Sequence, residues 1–314
     1  MEVKERLIRA FNKPNSRFKF RELVAITKLS AEKTNGLVDQ LRAEGLKIIY
    51  GKVDHCFYLS KIPTPYSNSF DLSHLPLEGK FGAISDTHLC SDAERLDLLR
   101  QAYAEMKSKG VTTVLHCGDI TDGWEVYQGH AQFVKVGGGA KQARYAIQHY
   151  PKVEGIKTYF VSGNHDLKSY LKTGLDQASL ITSGVEVEGK FTEGRKDMVY
   201  LGQHSRYIRF PSEISVHLLH PIGNNPYAKS YAQQRRSRAF NNQTRPDIQL
   251  SGHLHTFTWI KEDYTHMIAL AGVQDETEFF KRLGLQRDMG FCIIDYAIEK
   301  HLIRKLGVQY INLD

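Results

Sequence analysis

Five short polar segments, each directly after an apolar run rich in β-branched residues, constrain this 314-residue chain more than any other feature. Such apolar runs are typical of buried strands, so the polar segments are expected at the carboxyl ends of strands. In open α/β sheets those strand ends form the active site. In chain order the segments are SDTH (Asp86, His88), GDITD (Asp119, Asp122), GNHD (Asn164, His165, Asp166), LLHP (His220) and GHLH (His253, His255).

The side chains of these segments favour a pair of adjacent divalent metal ions. Two ions about 3.5–4 Å apart need a shared anionic ligand, and one carboxylate can bridge them. Neutral imidazoles and a carboxamide oxygen complete the coordination without excess negative charge. A mixed Asp, His and Asn set suits manganese, iron, zinc or nickel, whereas magnesium and calcium prefer oxygen ligands alone. We therefore expect two divalent transition-metal ions as cofactors, with manganese as the first choice.

The motif set resembles that of the calcineurin-like metallophosphoesterase superfamily, from about residue 80 to about residue 295. The resemblance implies an α/β fold in which two packed β-sheets are flanked by helices, a four-layer sandwich. It also implies hydrolysis of a phosphoester by a hydroxide that bridges two metals. It assigns the first metal to Asp86, His88 and His255, the bridge to Asp119, and the second metal to Asn164, His220 and His253.

The same resemblance implies roles for three further side chains. His165 would donate a proton to the leaving-group oxygen and would be steadied by Asp166, while Asp122 would orient a ligand imidazole or His165. The phosphate-gripping arginine of the serine/threonine protein phosphatase branch is absent, and Gly123 and Trp124 occupy its place. The GNHD and GHLH segments resemble the phosphodiesterase and nuclease branches instead.

The remaining histidines lack a motif context. His217 lies three residues before His220 on an expected strand, so the two side chains should point to opposite faces of the sheet. Only one of them can face the metals, and the position before proline favours His220. The others, among them His116 and His130, are expected to be structural.

Residues 1–60 show a separate pattern of three amphipathic helices followed by a hairpin, which resembles a winged helix. Ser30 is expected to cap the third helix, which should stop at Gly45. In a winged helix the third helix enters the DNA major groove and the hairpin touches the backbone. Protein binding, homodimer formation or a different fold remain open, because acidic residues are interspersed. Lys33, Thr34, Asn35 and Gln40 are expected on the polar side of the third helix, and Lys47 and Lys52 beside or within the hairpin. The expected nucleic-acid contacts are Lys33, Thr34, Asn35, Gln40 and Lys52.

Prolines and serines without periodicity indicate a linker at residues 61–79, before a catalytic domain at residues 80–314. No apolar stretch approaches the roughly 20 residues of a membrane span, so no membrane partner is expected. The charged N-terminus lacks the features of a secretory signal. Four cysteines without metal-binding spacing fit a reducing compartment. The expected location is the cytoplasm.

Basic residues point to a polyanionic partner. The net charge is +7 and the isoelectric point about 9.0. A basic helix with Arg235, Arg236 and Arg238 is expected between two metal-ligand segments, where it could guide nucleic acid or simply form a solvated face. The leading hypothesis is a two-metal phosphodiesterase or nuclease acting on DNA or RNA. The alternatives are a phosphohydrolase of a small nucleotide or cyclic dinucleotide with a regulatory winged helix, and a DNA-binding regulator whose phosphoesterase domain senses a ligand.

Overall fold

Nearly all of the chain is described by a computed structural model. Gly45, Lys47, Lys52 and residues 61–68 lie outside the described residues, so the predictions made for them stay predictions. The described residues are 3–13, 16–44, 46, 48–51, 55–59, 69–223, 228–241, 244–299 and 301–314.

The chain divides into two units: Met1–Asn68 with Ala239–Arg245, and Ser69–Arg238 with Pro246–Asp314. In the first unit, three strands form an antiparallel sheet in the order β1–β3–β2. The three predicted helices and the hairpin are present, and β1 adds a strand that the sequence pattern did not predict. The assignment as a winged helix stays a prediction. The elements are α1 (Val3–Phe11), β1 (Phe18–Lys19), α2 (Phe20–Thr27), α3 (Ala31–Ala43), β2 (Ile48–Gly51) and β3 (Cys56–Leu59).

Helix α3 begins as predicted, because the Ser30 side chain accepts a hydrogen bond from the Lys33 backbone N–H. Thr34, however, is fully buried and shares a 2.8 Å hydrogen bond with Thr27. The expected place of Thr34 on the polar face is therefore wrong. The helical period explains the difference, since Thr34 lies four residues before the buried Val38 and so belongs to the core-facing stripe.

The second unit contains two six-stranded sheets, with strand orders β10–β7–β6–β5–β16–β17 and β14–β15–β13–β12–β11–β4, and a separate β8–β9 pair. Short 3-10 helices cover His130–Phe133 and Pro211–Glu213. The elements are β4 (Phe70–Asp71), β5 (Glu78–Ile84), α4 (Leu96–Ser108), β6 (Thr113–His116), α5 (Gly139–His149), β7 (Lys157–Ser162), α6 (Lys168–Thr173), α7 (Gln177–Ser183), β8 (Val185–Val187), β9 (Lys190–Thr192), β10 (Met198–Gln203), β11 (Ser205–Arg209), β12 (Ser215–Leu219), α8 (Tyr231–Ala239), β13 (Ile248–Ser251), β14 (Thr258–Glu262), β15 (Thr265–Ala269), α9 (Glu278–Leu283), β16 (Gly290–Glu299) and β17 (Leu302–Asn312).

The two large sheets pack face to face around one apolar core. Phe81 and Leu115 of the first sheet meet Leu250 of the second sheet in this core. The opposite face of the first sheet packs against helices α4, α5 and α7 in a second core, which includes Tyr103 and Ile181. The predicted α/β sandwich of two packed sheets with flanking helices is confirmed.

Residues 69–79, expected as part of a linker, are folded. Strand β4 pairs in parallel with β11, and β5 already begins at Glu78. Phe70 packs on Tyr159 with ring centroids 5.4 Å apart, and Leu72 is fully buried. These apolar side chains anchor the edge of the second sheet. In the sequence they are surrounded by prolines and serines, which is why the segment was interpreted as a linker.

All five strands predicted before the polar segments are present, as β5, β6, β7, β12 and β13. Strands β5, β6 and β7 are parallel neighbours, as are β12 and β13. Parallel neighbours end at the same edge of a sheet, so the turns that follow them are brought together. Within the described ranges, none of the helices combines the length and hydropathy that a membrane span requires.

Candidate metal centre

The first ligand cluster consists of Asp86, His88 and His255, and all three side chains are buried. The Nε2 atoms of His88 and His255 lie 3.2 Å apart. Asp86 Oδ1 lies 3.4 Å from His255 Nε2 and 3.9 Å from His88 Nε2. Three potential ligand atoms therefore surround one point between the strand ends.

The second cluster contains Asp119, His220 and His253, with Asn164 beside them. His220 Nε2 lies 3.2 Å from Asp119 Oδ2 and 3.0 Å from Asn164 Oδ1. The same Asp119 Oδ2 atom lies 3.8 Å from His88 Nε2 of the first cluster. Asp119 thus occupies the position between the clusters that a bridging carboxylate requires.

Hydrogen bonds behind the ligands fix their ring tautomers. Nδ1 of His220 lies 2.7 Å from the Cys117 carbonyl oxygen, and Nδ1 of His88 lies 2.9 Å from Asp122 Oδ1. Because both oxygens only accept, each Nδ1 carries a hydrogen, and Nε2 is the ring nitrogen that faces the centre. At His220 this nitrogen faces the oxygens of Asp119 and Asn164. A cation that displaced the proton from Nε2 would find three ligand atoms here.

The protonation of the centre determines how it could hold a cation. Burial lowers the pKa of His220, but the Asp119 carboxylate outweighs burial and raises it to about 9, so a bound cation would have to displace the Nε2 proton. Burial raises the pKa of Asp119, yet His220 and His165 hold it well below its usual range. Burial, assisted by His220, lowers the pKa of His253 to about 4. Asp119 is therefore anionic and His253 neutral at physiological pH, as metal ligands must be.

Several ligand residues adopt an uncommon backbone conformation. Their φ angles are 52° at Asp86, 41° at His88, 54° at Asp119, 78° at His253 and 50° at His255. Residues with a side chain rarely adopt this left-handed region, which costs about 1–3 kcal/mol at each position. The turns that follow β5, β6 and β13 thus hold strain where these side chains converge.

The glycine of GHLH, Gly252, permits a close approach between two of these turns. A Cβ atom at Gly252 would lie 2.1 Å from Ser85 Oγ and 2.9 Å from the Cys117 carbonyl oxygen. Since one contact is with backbone, the clash is not relieved by a side-chain rotation alone. Glycine at this position is therefore required by the packing behind Asp86.

We expect Gly252→Ala to lower the free energy of unfolding by about 1–3 kcal/mol, because the added methyl group overpacks this turn. Urea denaturation followed by circular dichroism measures the change. Gly307→Ala is the matched control, since a Cβ there meets its nearest atom at an ordinary 3.8 Å. Equal stabilities of the two variants would contradict the close packing at Gly252.

His165 lies at the rim of the centre, where neighbouring acidic groups stabilise its charged form. Its Nδ1 donates to the Asp122 carbonyl oxygen at 2.6 Å and lies 3.4 Å from the Asp122 carboxylate. Burial lowers the pKa of His165, but the carboxylates of Asp119 and Asp122 together raise it to about 10. With Nδ1 engaged, the second ring proton is at Nε2.

Asp166 does not steady His165, so the expectation made for it is wrong. Its carboxylate accepts hydrogen bonds from the backbone N–H groups of Thr121, Ile120 and Gly163 at 2.9–3.2 Å. It also accepts one from the Thr121 hydroxyl at 2.7 Å. Through these hydrogen bonds, Asp166 connects the GDITD turn to the GNHD turn.

We expect Asp166→Ala to lower the free energy of unfolding by about 3 kcal/mol or more, because several buried donors lose their acceptor. Chemical denaturation measures the loss. Asp295→Ala serves as the control, since its carboxylate is 45% exposed and its removal should change stability by less than about 0.5 kcal/mol. A loss below about 1 kcal/mol for Asp166→Ala would rule out this bracing role.

Asp122 joins three imidazoles, one of which the sequence did not suggest. Its carboxylate contacts His88 and His165, and its Oδ2 lies 3.0 Å from His130 Nε2. His130 Nδ1 accepts from the Val126 backbone N–H at 3.3 Å, so Nε2 donates to Asp122. His130 was expected to be structural, because it stands alone in a loop without a motif. Nothing in the sequence marks it.

His220, rather than His217, reaches the centre. The His217 ring stacks on Tyr207 with centroids 4.2 Å apart and contacts Gln249 at 3.2 Å. The preference for His220 thus agrees with the geometry.

A cavity of about 510 Å³ opens beside the two clusters. One side is formed by an aromatic wall, which we define as Tyr127, Phe279 and Phe280. The rings of Tyr127 and Phe279 lie 5.0 Å apart, and Phe280 lies 5.0 Å from the His255 ring. The wall therefore extends from a ligand of the first cluster to the cavity mouth.

The residues expected to contact nucleic acid belong to neither of these clusters. Arg235 and Arg238 of α8 are exposed, and Arg236 is half-buried. On α3, Lys33 and Gln40 are exposed. Asn35 and Gln40 each hydrogen-bond an acidic side chain one turn later on the same helix, at 3.2 Å and 3.0 Å. Their contact with nucleic acid stays a prediction.

Comparison with known proteins identifies one family. The sequence profile of the calcineurin-like phosphoesterases matches residues 79–257, more than half of the chain. No curated protein sequence matches the chain.

Solved structures provide more distant likenesses. An archaeal phosphodiesterase is 14% identical over 74% of this chain and 100% of its own, with a TM-score of 0.42. GAP50 of Plasmodium is 12% identical over 75% of this chain and 84% of its own, with a TM-score of 0.39. Vps29 from Entamoeba histolytica, complexed with Zn²⁺, is 12% identical over 75% of this chain and 100% of its own, with a TM-score of 0.33. These likenesses are too distant to transfer a substrate or a metal to this chain.

Proposed function

Because this chain belongs to the calcineurin-like phosphoesterase family, we propose that it is a two-metal phosphodiesterase that acts on DNA or RNA. The family makes it a hydrolase of phosphate esters, and two buried His/Asp clusters could hold its metals. The observation that carries the proposal is the position of Asp119 Oδ2, which lies 3.2 Å from His220 Nε2 of the second cluster and 3.8 Å from His88 Nε2 of the first.

We assign the metal ligands as follows. Asp119 would be shared by both ions, and manganese is our first choice, with iron, zinc or nickel as alternatives. Two bound ions neutralise the phosphoryl group and lower the pKa of water. Asp86, His88 and His255 would hold the first ion, and Asn164, His220 and His253 the second.

The proton donor in this proposal is His165. Its Nδ1 is occupied by Asp122, so its Nε2–H is available to the leaving-group oxygen of a bound ester. Asp122 acts as a positioning residue, because one carboxylate orients both His165 and the ligand His88. His130, the third partner of Asp122, restricts the rotation of that carboxylate.

Charge supports nucleic acid as the substrate. The chain has a net charge of +7, and α8 presents Arg235 and Arg238 to solvent. Arginine–phosphate contacts release counterions, so binding weakens steeply as salt rises. Lys33 and Gln40 of the first unit would add contacts if that unit is a winged helix that binds DNA.

We expect the double variant Arg235→Glu/Arg238→Glu to bind a labelled DNA duplex more weakly, with the slope of log K against log salt reduced by about 2. Fluorescence anisotropy over a salt series measures both. Arg304→Glu is the control, because its side chain is 78% exposed on the last strand of the first sheet. An unchanged slope in the double variant would exclude these arginines from the DNA contact.

Cleavage of labelled linear single- and double-stranded DNA in the presence of manganese tests the proposed function. Cleavage by the wild-type protein that disappears in Asp119→Asn is the expected result. Hydrolysis of a chromogenic phosphodiester without cleavage of either DNA or RNA would refute nucleic acid as the substrate.

One observation favours a second candidate, hydrolysis of a small nucleotide or cyclic dinucleotide. The cavity of about 510 Å³ falls within the range of roughly 300–1,000 Å³ common for small-molecule sites. Turnover of a cyclic dinucleotide that exceeds that of DNA and varies little with salt would support this candidate. Sequence-specific DNA binding without any turnover would instead support a ligand-sensing regulator.

A further inference from the structure

We infer that the aromatic wall beside the metal centre is a subsite for the nucleobase of the nucleotide whose phosphate is cleaved. The inference rests on the proposed function and specifies it, since it names the part of the substrate that the cavity recognises. It applies equally to a nucleotide within a strand and to a small nucleotide.

The wall is continuous with the metal centre. Phe280 packs on the ligand His255, and Tyr127 packs on His130 with ring centroids 4.6 Å apart. Phe279 continues the wall outward from Tyr127. A base next to the scissile phosphate would therefore meet aromatic faces without leaving the cavity.

The wall also remains open to solvent. Phe279 is 40% exposed and Leu283 is 58% exposed, although both line the cavity. Apolar side chains gathered at the mouth of a polar site are typical of a ligand surface. Stacking of a base on an aromatic side chain contributes about 1–3 kcal/mol.

A buried polar group supplies the second observation. Gln274 lines the same cavity and is only 3% exposed, yet its side chain makes no hydrogen bond with any of the described residues. A glutamine amide offers a donor and an acceptor side by side, which match the edge of a base. An acyl chain could pack against the aromatic wall but could not hydrogen-bond the Gln274 amide. The wall and the amide together therefore favour a planar base.

Esters that share a leaving group test the subsite. The probes are p-nitrophenyl phosphodiesters of adenosine, of thymidine and of an abasic deoxyribose, assayed with the manganese-loaded protein. We expect kcat/KM of the better nucleoside ester to exceed that of the abasic ester by at least about fivefold, the lower end of base stacking. Phe279→Ala should reduce this ratio toward one, whereas Phe279→Trp should retain it.

Phe191→Ala is the matched control, since Phe191 is 67% exposed on β9, does not line the cavity and should leave the ratio unchanged. Gln274→Leu should alter the preference between the adenosine and thymidine esters, and its melting temperature checks that it folds. Equal kcat/KM for nucleoside and abasic esters would overturn the subsite while leaving phosphodiesterase activity established. Failure to hydrolyse any of the three esters would count against the proposed function itself.

Discussion

Asp119→Asn is expected to reduce kcat/KM for phosphodiesters by more than about 10³-fold, as removal of a group on which the whole site depends commonly does. The carboxylate reaches both clusters, since Oδ2 lies 3.2 Å from His220 Nε2 and 3.8 Å from His88 Nε2. Asparagine keeps the shape but loses the negative charge that two adjacent cations require. Steady-state hydrolysis of a chromogenic diester with manganese measures the effect.

The fold should survive this substitution. Asp119 Oδ1 accepts a hydrogen bond from the His165 backbone N–H, and an amide oxygen can accept it as well. Asp295→Asn is the matched control, because its carboxylate is exposed on the surface of β16, and its activity should equal that of the wild type. Retained activity in a folded Asp119→Asn protein would refute Asp119 as the shared ligand.

His165→Gln is expected to have an effect that depends on the leaving group. For a diester with an alkoxide leaving group, kcat should fall by about 10²–10⁴-fold, since the oxygen must be protonated as it departs. For p-nitrophenolate, which leaves without a proton, the loss should be less than about tenfold. His149→Gln, on the outer helix α5, is the control.

The pH profile provides a second readout of His165. Asp119 and Asp122 raise the pKa of His165 to about 10 in spite of burial, whereas two bound cations would lower it again by repulsion. In either case the acid form of His165 is lost as pH rises through its pKa. Wild-type activity on the alkyl diester should therefore decline on the alkaline side, and the decline attributable to this group should be absent in His165→Gln. Equal losses for both leaving groups would indicate a structural role instead.

The sequence predicted the parts of the structure that depend on local pattern. β-Branched runs followed by polar turns identified the five strands, and parallel pairing then brought their ends together. The need for glycine in GHLH became visible only in the structure, where a Cβ at Gly252 would clash with Ser85 behind Asp86.

Contacts between segments distant in the sequence were not predictable in this way. Asp166 follows His165 directly, yet its carboxylate is directed to the GDITD turn, more than forty residues earlier. His130 reaches Asp122 through an irregular loop that has no periodicity. The aromatic wall combines Tyr127 of that loop with Phe279 of α9, so the sequence of neither segment alone predicts it.

The burial of Thr34 shows a different limit of prediction from sequence, which concerns side-chain polarity. Its hydroxyl was expected to face solvent, but the helical period places it above Val38, and Thr27 provides the hydrogen-bond partner that makes burial of a polar group tolerable. The polarity of a side chain is thus a weaker guide than its position on the helix.

The central claim is that two metal ions share Asp119, and anomalous diffraction from crystals of the manganese-loaded protein tests it most directly. Two anomalous peaks about 3.5–4 Å apart are expected, one among Asp86, His88 and His255 and one among Asn164, His220 and His253, with Asp119 in contact with both. A single peak, or two peaks without Asp119 between them, would contradict the claim.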